Sequence, residues 1–239
     1  MSVTKCLVSL LLVYLLIACT APEVKNYETP ESSAFYDLGV AYLNENKIQK
    51  AFVEFQKAYS INPSDKRILN AIGIIYLLHF DDTPKAISFF EKAVNLDTTY
   101  SEAYNNLGFA HESLGNFETA ISYYEKAVAN LMYATPEKAY INLANVHYRL
   151  GKYDLAIAAI REALKRAPTL SIAYMKLALC YNALGRYGDA STALSSAIVL
   201  DPLYQGDVNR AIEELTDMEM RASGYEQQDI RDYLEILKY

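Results

Sequence analysis

Apolar residues recur along most of the chain at helical spacing, and small residues recur with them at a longer period. From Phe35 onward, an aromatic or aliphatic side chain is followed by a leucine or isoleucine, then a glycine or alanine, then an aromatic residue. Spacings of i, i+3, i+4 and i+7 place such residues on one face of an α-helix. No segment alternates apolar and polar residues over a useful length, so the pattern predicts an all-α protein without a sheet.

The same order of residues occurs five times, with a period of about 34 residues. Each pass has a small residue on a first helix and another on a second helix, where the lack of bulk lets the two helices approach closely. The first-helix set is Gly39, Gly73, Gly108, Ala144 and Ala178, and the second-helix set is Ala51, Ala86, Ala120, Ala156 and Ala190. Glycines at 115, 151 and 185 fit the turn between the two helices of a pass.

This order resembles the tetratricopeptide repeat, and the resemblance covers about residues 32–204. It implies a right-handed superhelical solenoid of antiparallel helix pairs. The predicted repeats are 32–65, 66–100, 101–136, 137–170 and 171–204. Residues 205–239 lose the pattern but keep amphipathic helices, which are predicted to cap the array or to form a degenerate sixth repeat.

The first residues have a different character. A single charged side chain, Lys5, precedes an apolar run from Cys6 to Ala18 that is too short to span a bilayer but suits a secretory signal. The run ends in Leu16-Ile17-Ala18-Cys19, which resembles the lipobox of bacterial lipoproteins. That resemblance implies cleavage before Cys19 and lipid attachment to its thiol. An uncleaved anchor or an ordinary signal peptide is the alternative.

Residues 1–18 are therefore predicted to be a lipoprotein signal peptide, and residues 19–31 a lipidated N-terminus and flexible tether. Thr20 follows the cysteine, where an aspartate would resemble the inner-membrane retention signal of enteric bacteria. We expect the protein to be lipid-anchored to the periplasmic face of the outer membrane.

The composition argues against several classes of function. The formal net charge is −7 and no long run of Lys or Arg is present, so a nucleic-acid partner is not expected. His111 and His147 occupy a register that carries tyrosine in other repeats, and Cys180 reads as a buried thiol. With no nucleophile–base pair and no ligand cluster, we expect no catalytic site, no metal, no cofactor and no small-molecule substrate.

In tetratricopeptide proteins the first helices line the concave face, so the resemblance implies a protein-binding groove there. Two features stand out along it, an apolar stripe and a ladder of asparagine amides. The predicted groove residues are Tyr36, Val40, Leu43, Asn70, Ile74, Asn105, Asn106, Phe109, Asn142, Asn145, Tyr148, Arg149, Met175, Leu179 and Asn182.

A side-chain amide can donate to a carbonyl and accept from an N–H of the same peptide backbone. A ladder of amides beside apolar pockets is therefore expected to hold an extended or helical segment of a partner. The alternative is that these asparagines only solvate an open helix face. Few charges lie in the groove, with Arg149 and Lys176 the obvious ones, which argues against recognition of a C-terminal carboxylate.

The link between the third and fourth repeats, residues 130–144, indicates which group of repeat-containing lipoproteins the chain resembles. Its Tyr133 and Pro136 precede an Ala-Tyr-Ile-Asn-Leu-Ala start, which resembles the PilF/PilW/Tgl lipoproteins of type IV pilus assembly. That family's role implies a pilotin-like protein that binds secretin subunits and assists their assembly or localisation. An adaptor for peptidoglycan hydrolases, or a component of the envelope assembly machinery resembling BamD, remains the alternative.

Overall fold

The computed structural model describes residues 29–239, and this stretch folds into twelve helices with no strand. Asp65, Asp82 and Asp207 each precede a helix and accept a hydrogen bond from a backbone N–H of its first turn. The helices are α1 Pro30–Asn44, α2 Ile48–Ile61, α3 Lys66–Leu78, α4 Thr83–Leu96, α5 Ser101–Ser113, α6 Phe117–Ala129, α7 Pro136–Arg149, α8 Tyr153–Arg166, α9 Ser171–Ala183, α10 Tyr187–Leu200, α11 Val208–Arg221 and α12 Gly224–Ile236.

The first ten helices form five pairs, and the two helices of each pair make the most extensive contacts in the fold. Each second helix then packs against the first helix of the next pair. The predicted fold class, an all-α solenoid of tetratricopeptide-like helix pairs with additional C-terminal helices, is confirmed.

The close approach within a pair depends on a ring that lies over a glycine. A Cβ added to Gly39, Gly73 or Gly108 would lie within about 2.6 Å of ring carbons of Phe55, Phe90 or Tyr124, respectively. These three rings are fully buried. In repeats four and five the glycine is an alanine, and the ring position carries the smaller Ile160 and Leu194, both buried. Small and large residues therefore vary together, so the gap between paired helices stays filled.

The turn between paired helices uses one residue in the left-handed region. Gly115, Gly151 and Gly185 have φ near +70°, as their positions in the sequence predict. Asn46 and Asp81 adopt the same conformation in the first two repeats, with φ of 56° and 51°. Asparagine and aspartate tolerate this conformation because their short side chains can bond locally to the backbone.

First helices of successive repeats contact one another, α3 with α5, α5 with α7 and α7 with α9. We call the face formed by α1, α3, α5, α7 and α9 the inner wall. Side chains on this face are the ones that the sequence assigns to the groove.

The last two helices depart from the repeat geometry. In the described residues α11 does not pack along α10 as each earlier first helix packs on the preceding second helix, and its main contact is with α12. The final helix, α12, turns back onto α9 and α10. This arrangement closes the array and favours a cap over a sixth repeat.

The described region has no helix with both the length and the apolar character that crossing a membrane requires. The predicted signal peptide, Cys19 and all but the last residues of the predicted tether lie outside the described residues.

The glycine–ring contact gives a direct test of the packing. Gly108→Ala should destabilise the protein by about 1–3 kcal/mol, because the new methyl group and the buried Tyr124 ring cannot both keep their positions. Gly188→Ala is the matched control, since its added Cβ would meet no atom within 4 Å. It should be neutral or slightly stabilising. Urea unfolding of both variants measures the difference, and equal stability of the two would contradict this account.

Candidate functional site: the inner wall

The apolar stripe is open along the first three repeats. Val40 and Ile74 are half-buried on α1 and α3, and Phe109 on α5 exposes 40% of its surface. Tyr36 and Leu43 flank this stripe in the first repeat and are also half-buried. A single exposed apolar residue needs no explanation, but a continuous row on a concave face offers a partner a surface to cover.

The asparagines pair with one another across the repeats. The Asn106 amide donates to Asn70 Oδ1 at 2.8 Å, and the Asn142 amide donates to Asn105 Oδ1 at 3.0 Å. These bonds tie α3 to α5 and α5 to α7. Each amide therefore spends part of its capacity on joining neighbouring helices, which neither the peptide-binding nor the solvation interpretation anticipated. The donors Asn106 and Asn142 each keep one further N–H and a free carbonyl oxygen, whereas the acceptors Asn70 and Asn105 keep both N–H groups. Asn70 is only 8% exposed, so it offers a partner less than the other three do.

A carboxylate that the sequence analysis did not single out lies beside this ladder. Glu112 Oε2 accepts a hydrogen bond from the Tyr124 hydroxyl at 2.7 Å, and Glu112 Oε1 accepts one from the Asn145 amide at 2.5 Å. Burial, with the charge of Glu112 as the next contribution, raises the pKa of Tyr124 well above its usual value, so its hydroxyl stays protonated and donates. Glu112 is thereby held in a defined orientation.

The inner wall of the fourth and fifth repeats is covered by the chain itself. Asp229 on α12 accepts two hydrogen bonds from the Arg149 guanidinium, at 2.7 and 2.5 Å, and forms an ion pair with Lys176 at 3.2 Å. Asp229 is only 5% exposed. The Tyr225 ring, at the start of α12, packs over the Arg149 guanidinium at 4.7 Å. Arg149 therefore binds the C-terminal helix and is not available to a partner.

Two further predicted groove residues also contact the C-terminal part of the chain. Leu179 is 1% exposed and belongs to the same apolar core as Tyr233 and Ile236 of α12. Asn182 accepts a hydrogen bond from the hydroxyl of the last residue, Tyr239, at 3.1 Å. The sequence pattern predicts Arg149, Leu179 and Asn182 in an open groove. In the structure Arg149 and Leu179 are covered, whereas Asn182 stays half-buried with its amide oxygen bonded to Tyr239. Tyr148 and Met175 stay half-buried against this core.

The burial on α12 is large enough to fix it in place. Ile230, Tyr233 and Ile236 are at most 4% exposed. Burying an aliphatic or aromatic side chain of this size contributes about 1.5–3 kcal/mol. We therefore expect the C-terminal helix to stay bound to the wall and not to exchange with a partner segment.

Between the open and the covered halves lies a cleft of about 430 Å³. The inner wall supplies one side of it and the start of α12 supplies the other. Its main lining residues are Phe109, Glu112, Asn145 and Arg149 from the inner wall, and Tyr225 and Glu226 from α12.

The histidines and the cysteine serve packing. His111 stacks on Tyr123 with ring centroids 5.4 Å apart, and His147 is 9% exposed. Burial raises the pKa of the Cys180 thiol to about 12, so the thiolate that reacts with electrophiles is scarce at neutral pH. The described residues contain no group of His, Cys, Asp or Glu side chains arranged to hold a metal ion.

Removing the central carboxylate should destabilise the protein at the contact between the C-terminal helix and the inner wall. Asp229→Ala leaves Arg149 and Lys176 without their acceptor in a nearly buried place, with side-chain exposures of 11% and 18%. We expect a loss of about 3–5 kcal/mol in unfolding free energy. Glu219 of α11 forms a more exposed ion pair with Arg231 of α12. Glu219→Gln removes this pair and should lower the unfolding free energy by only about 0–1 kcal/mol. Urea unfolding separates the two, and a small effect of Asp229→Ala would contradict the proposed anchoring.

His147 gives a test by pH. Burial, followed by the charge of Lys152, lowers its pKa from the usual 6.5. The unfolded chain therefore binds more protons on this ring than the folded one. Its contribution to stability is fully present above pH 6.5 and is lost as the pH falls from there through the folded pKa.

His147→Tyr introduces the residue that repeats one, two and five carry in this register, and should flatten the decline in unfolding free energy between neutral and mildly acid pH. His79→Gln, at an exposed helix end, should keep the decline. If the unfolding free energy of both variants falls with pH as that of the parent does, His147 is not the cause of the fall.

Comparisons with known proteins agree with this architecture. The family model described as the Cilia and flagella-associated protein 70 C-terminal domain, a tetratricopeptide-repeat model, matches residues 77–206. A second model, described as Tetratricopeptide repeat, matches residues 32–65.

Solved structures with this fold include PilW, described as a widely conserved type IV pilus biogenesis factor. It is 22% identical, the match covers 84% of this chain and 99% of PilW, and the TM-score is 0.66. PilF of Pseudomonas aeruginosa is 18% identical, with 84% of this chain and 96% of PilF covered and a TM-score of 0.65. At these identities the likeness shows the fold alone.

Curated relatives match only over part of their length. Anaphase-promoting complex subunit 3 of Schizosaccharomyces pombe is 37% identical over 71 residues, which is 30% of this chain and 10% of that protein. The chain spans between a tenth and a fifth of the first curated relatives it matches, so it corresponds to their repeats and not to their whole architecture.

Proposed function

Because the chain belongs to the tetratricopeptide-repeat family of the Cilia and flagella-associated protein 70 C-terminal domain, we propose that it is a non-catalytic scaffold whose inner wall binds another protein. The observation that carries this proposal is the open apolar stripe along the first three repeats, bordered by amides that still have hydrogen-bonding capacity. The partner segment would cover Val40, Ile74 and Phe109 and bond to the ladder beside them.

We further propose that the scaffold is held at the outer membrane by lipid on Cys19 and assists secretin assembly or localisation in type IV pilus biogenesis. Three observations support this. The lipobox-like Leu16–Cys19 run precedes the array, residues 130–144 resemble the pilus-assembly lipoproteins, and the folds of PilW and PilF match over nearly their full length. Two attached acyl chains or more would give stable anchoring, since each buried methylene contributes about 0.8 kcal/mol.

A genetic test separates the parts of this proposal. Deleting the gene in its own host should abolish detergent-resistant secretin multimers and twitching motility, and the full chain should restore both. Cys19→Ser should fail to restore them because the protein loses its anchor. Phe109→Asp should fail because a charge replaces the exposed apolar residue of the groove.

The control for the groove variant is Val199→Asp, which introduces the same charge at a side chain that is 66% exposed on the second helix of repeat five. It should behave as the parent does. Normal secretin multimers in the deletion strain would reject the pilus role. Copurification of cell-wall hydrolases in place of secretin would favour the adaptor alternative.

A further inference from the structure

The cleft between the inner wall and α12 has an unbalanced charge. Two carboxylates line it, Glu112 and Glu226, and neither forms an ion pair with a cation among residues 29–239. The basic residue that also lines it, Arg149, uses both terminal guanidinium nitrogens on Asp229. Within the part of the chain that the structure describes, the cleft therefore presents negative charge without a partner.

Glu112 is prepared to accept further hydrogen bonds. Tyr124 and Asn145 each occupy one of its oxygens, and a carboxylate offers about four acceptor sites in all. Next to it, the buried Asn145 Oδ1 has no hydrogen-bond partner in the described residues. An acceptor left unsatisfied in this way costs free energy that a donor from a partner would recover.

Aromatic rings also line the cleft, and these rings can favour a cation. Phe109 is 40% exposed and Tyr225 is 64% exposed, and Tyr225 already packs over one guanidinium, that of Arg149. A second cation over an open ring face would gain a similar interaction. The aliphatic stem of a long basic side chain would at the same time cover apolar surface.

From this charge complementarity we infer that the cleft accepts a basic side chain, arginine in preference to lysine, from the segment that lies along the apolar stripe. This rests on the proposed protein-binding role and adds the chemistry of the partner. Glu112 is the carboxylate that recognises this side chain. Arginine is preferred because its planar guanidinium carries several N–H donors, which can bond to the Glu112 carboxylate and to Asn145 Oδ1 together. The partner segment is thus apolar with a basic residue, and an acidic segment would be repelled.

The test uses a random-sequence peptide library displayed on phage. The full chain, purified in a mild detergent, is the bait, and selections run in parallel on the parent, on Glu112→Gln and on Glu213→Gln. Glu213 is exposed on α11 and controls for the loss of one negative charge. Peptides from the parent and from the control should be enriched in arginine and lysine, and those from Glu112→Gln should not.

Individual peptides then give the size of the effect. Replacing the arginine of a selected peptide by its neutral isostere citrulline should weaken binding to the parent by about tenfold or more, as measured by fluorescence anisotropy. The same replacement should weaken binding to Glu112→Gln much less. If that variant does not fold, Glu226→Gln, which alters an exposed side chain, gives the same comparison with a smaller effect.

The outcomes distinguish the two proposals. Peptides that lose binding with Phe109→Asp but show no basic enrichment would overturn the cation site and leave the protein-binding role intact. Basic enrichment that Glu112→Gln does not change would also overturn it. If no peptide binds the inner wall at all, both proposals fail.

Discussion

The close fit of each second-helix ring against a first-helix glycine is the constraint on which the rest of the structure depends. A ring that lies directly over a backbone draws the two helices together, and only a residue without a Cβ permits it at Gly39, Gly73 and Gly108. Where the glycine is replaced by alanine, a buried aliphatic residue stands in place of the ring. Because this spacing repeats, the first helices lie side by side. The side chains on their shared face form the inner wall. The tyrosine of the third repeat adds chemistry to packing, because its hydroxyl orients Glu112 from within the core.

The C-terminal helix divides the inner wall into two parts with different roles. Over the fourth and fifth repeats α12 covers the wall. Asp229 of this helix pairs with Arg149 and Lys176, and buried apolar residues surround the three side chains. Over the first three repeats the wall remains open. The start of α12 then forms one side of the cleft, so the cap shapes the binding surface as well as closing the array. A protein of this fold can therefore restrict where a partner binds without changing its repeats.

Much of the repeat architecture could be predicted from the sequence, because the same short-range pattern of residues recurs in every repeat. The helix pairs, the small residues, the glycines in the left-handed turns and the buried Cys180 all follow from it. Asn46 and Asp81, which serve in the same turns, were missed because they are not glycines. Glu112 lies three residues after Phe109, on the same helix face, but its role could not be predicted because it depends on contacts with Tyr124 and Asn145 of other helices.

The fold-back of α12 could not be found in this way. Its central contact joins residues 149 and 229, which are 80 positions apart, and no periodicity connects them. The asparagine pairs likewise depend on distances between helices that the period alone does not give. Residues 1–28, which carry the predicted signal peptide and Cys19, lie outside the described region, and their assignment remains a prediction.

The division of the inner wall by a firmly bound C-terminal helix is the central claim, and native-state hydrogen–deuterium exchange tests it most directly. If α12 is a permanent part of the wall, its central amides should exchange about as slowly as those of α9, through global unfolding. Fast exchange throughout α12, with α9 still protected, would show that the helix leaves the wall readily. The groove would then be open along all five repeats, which contradicts this account.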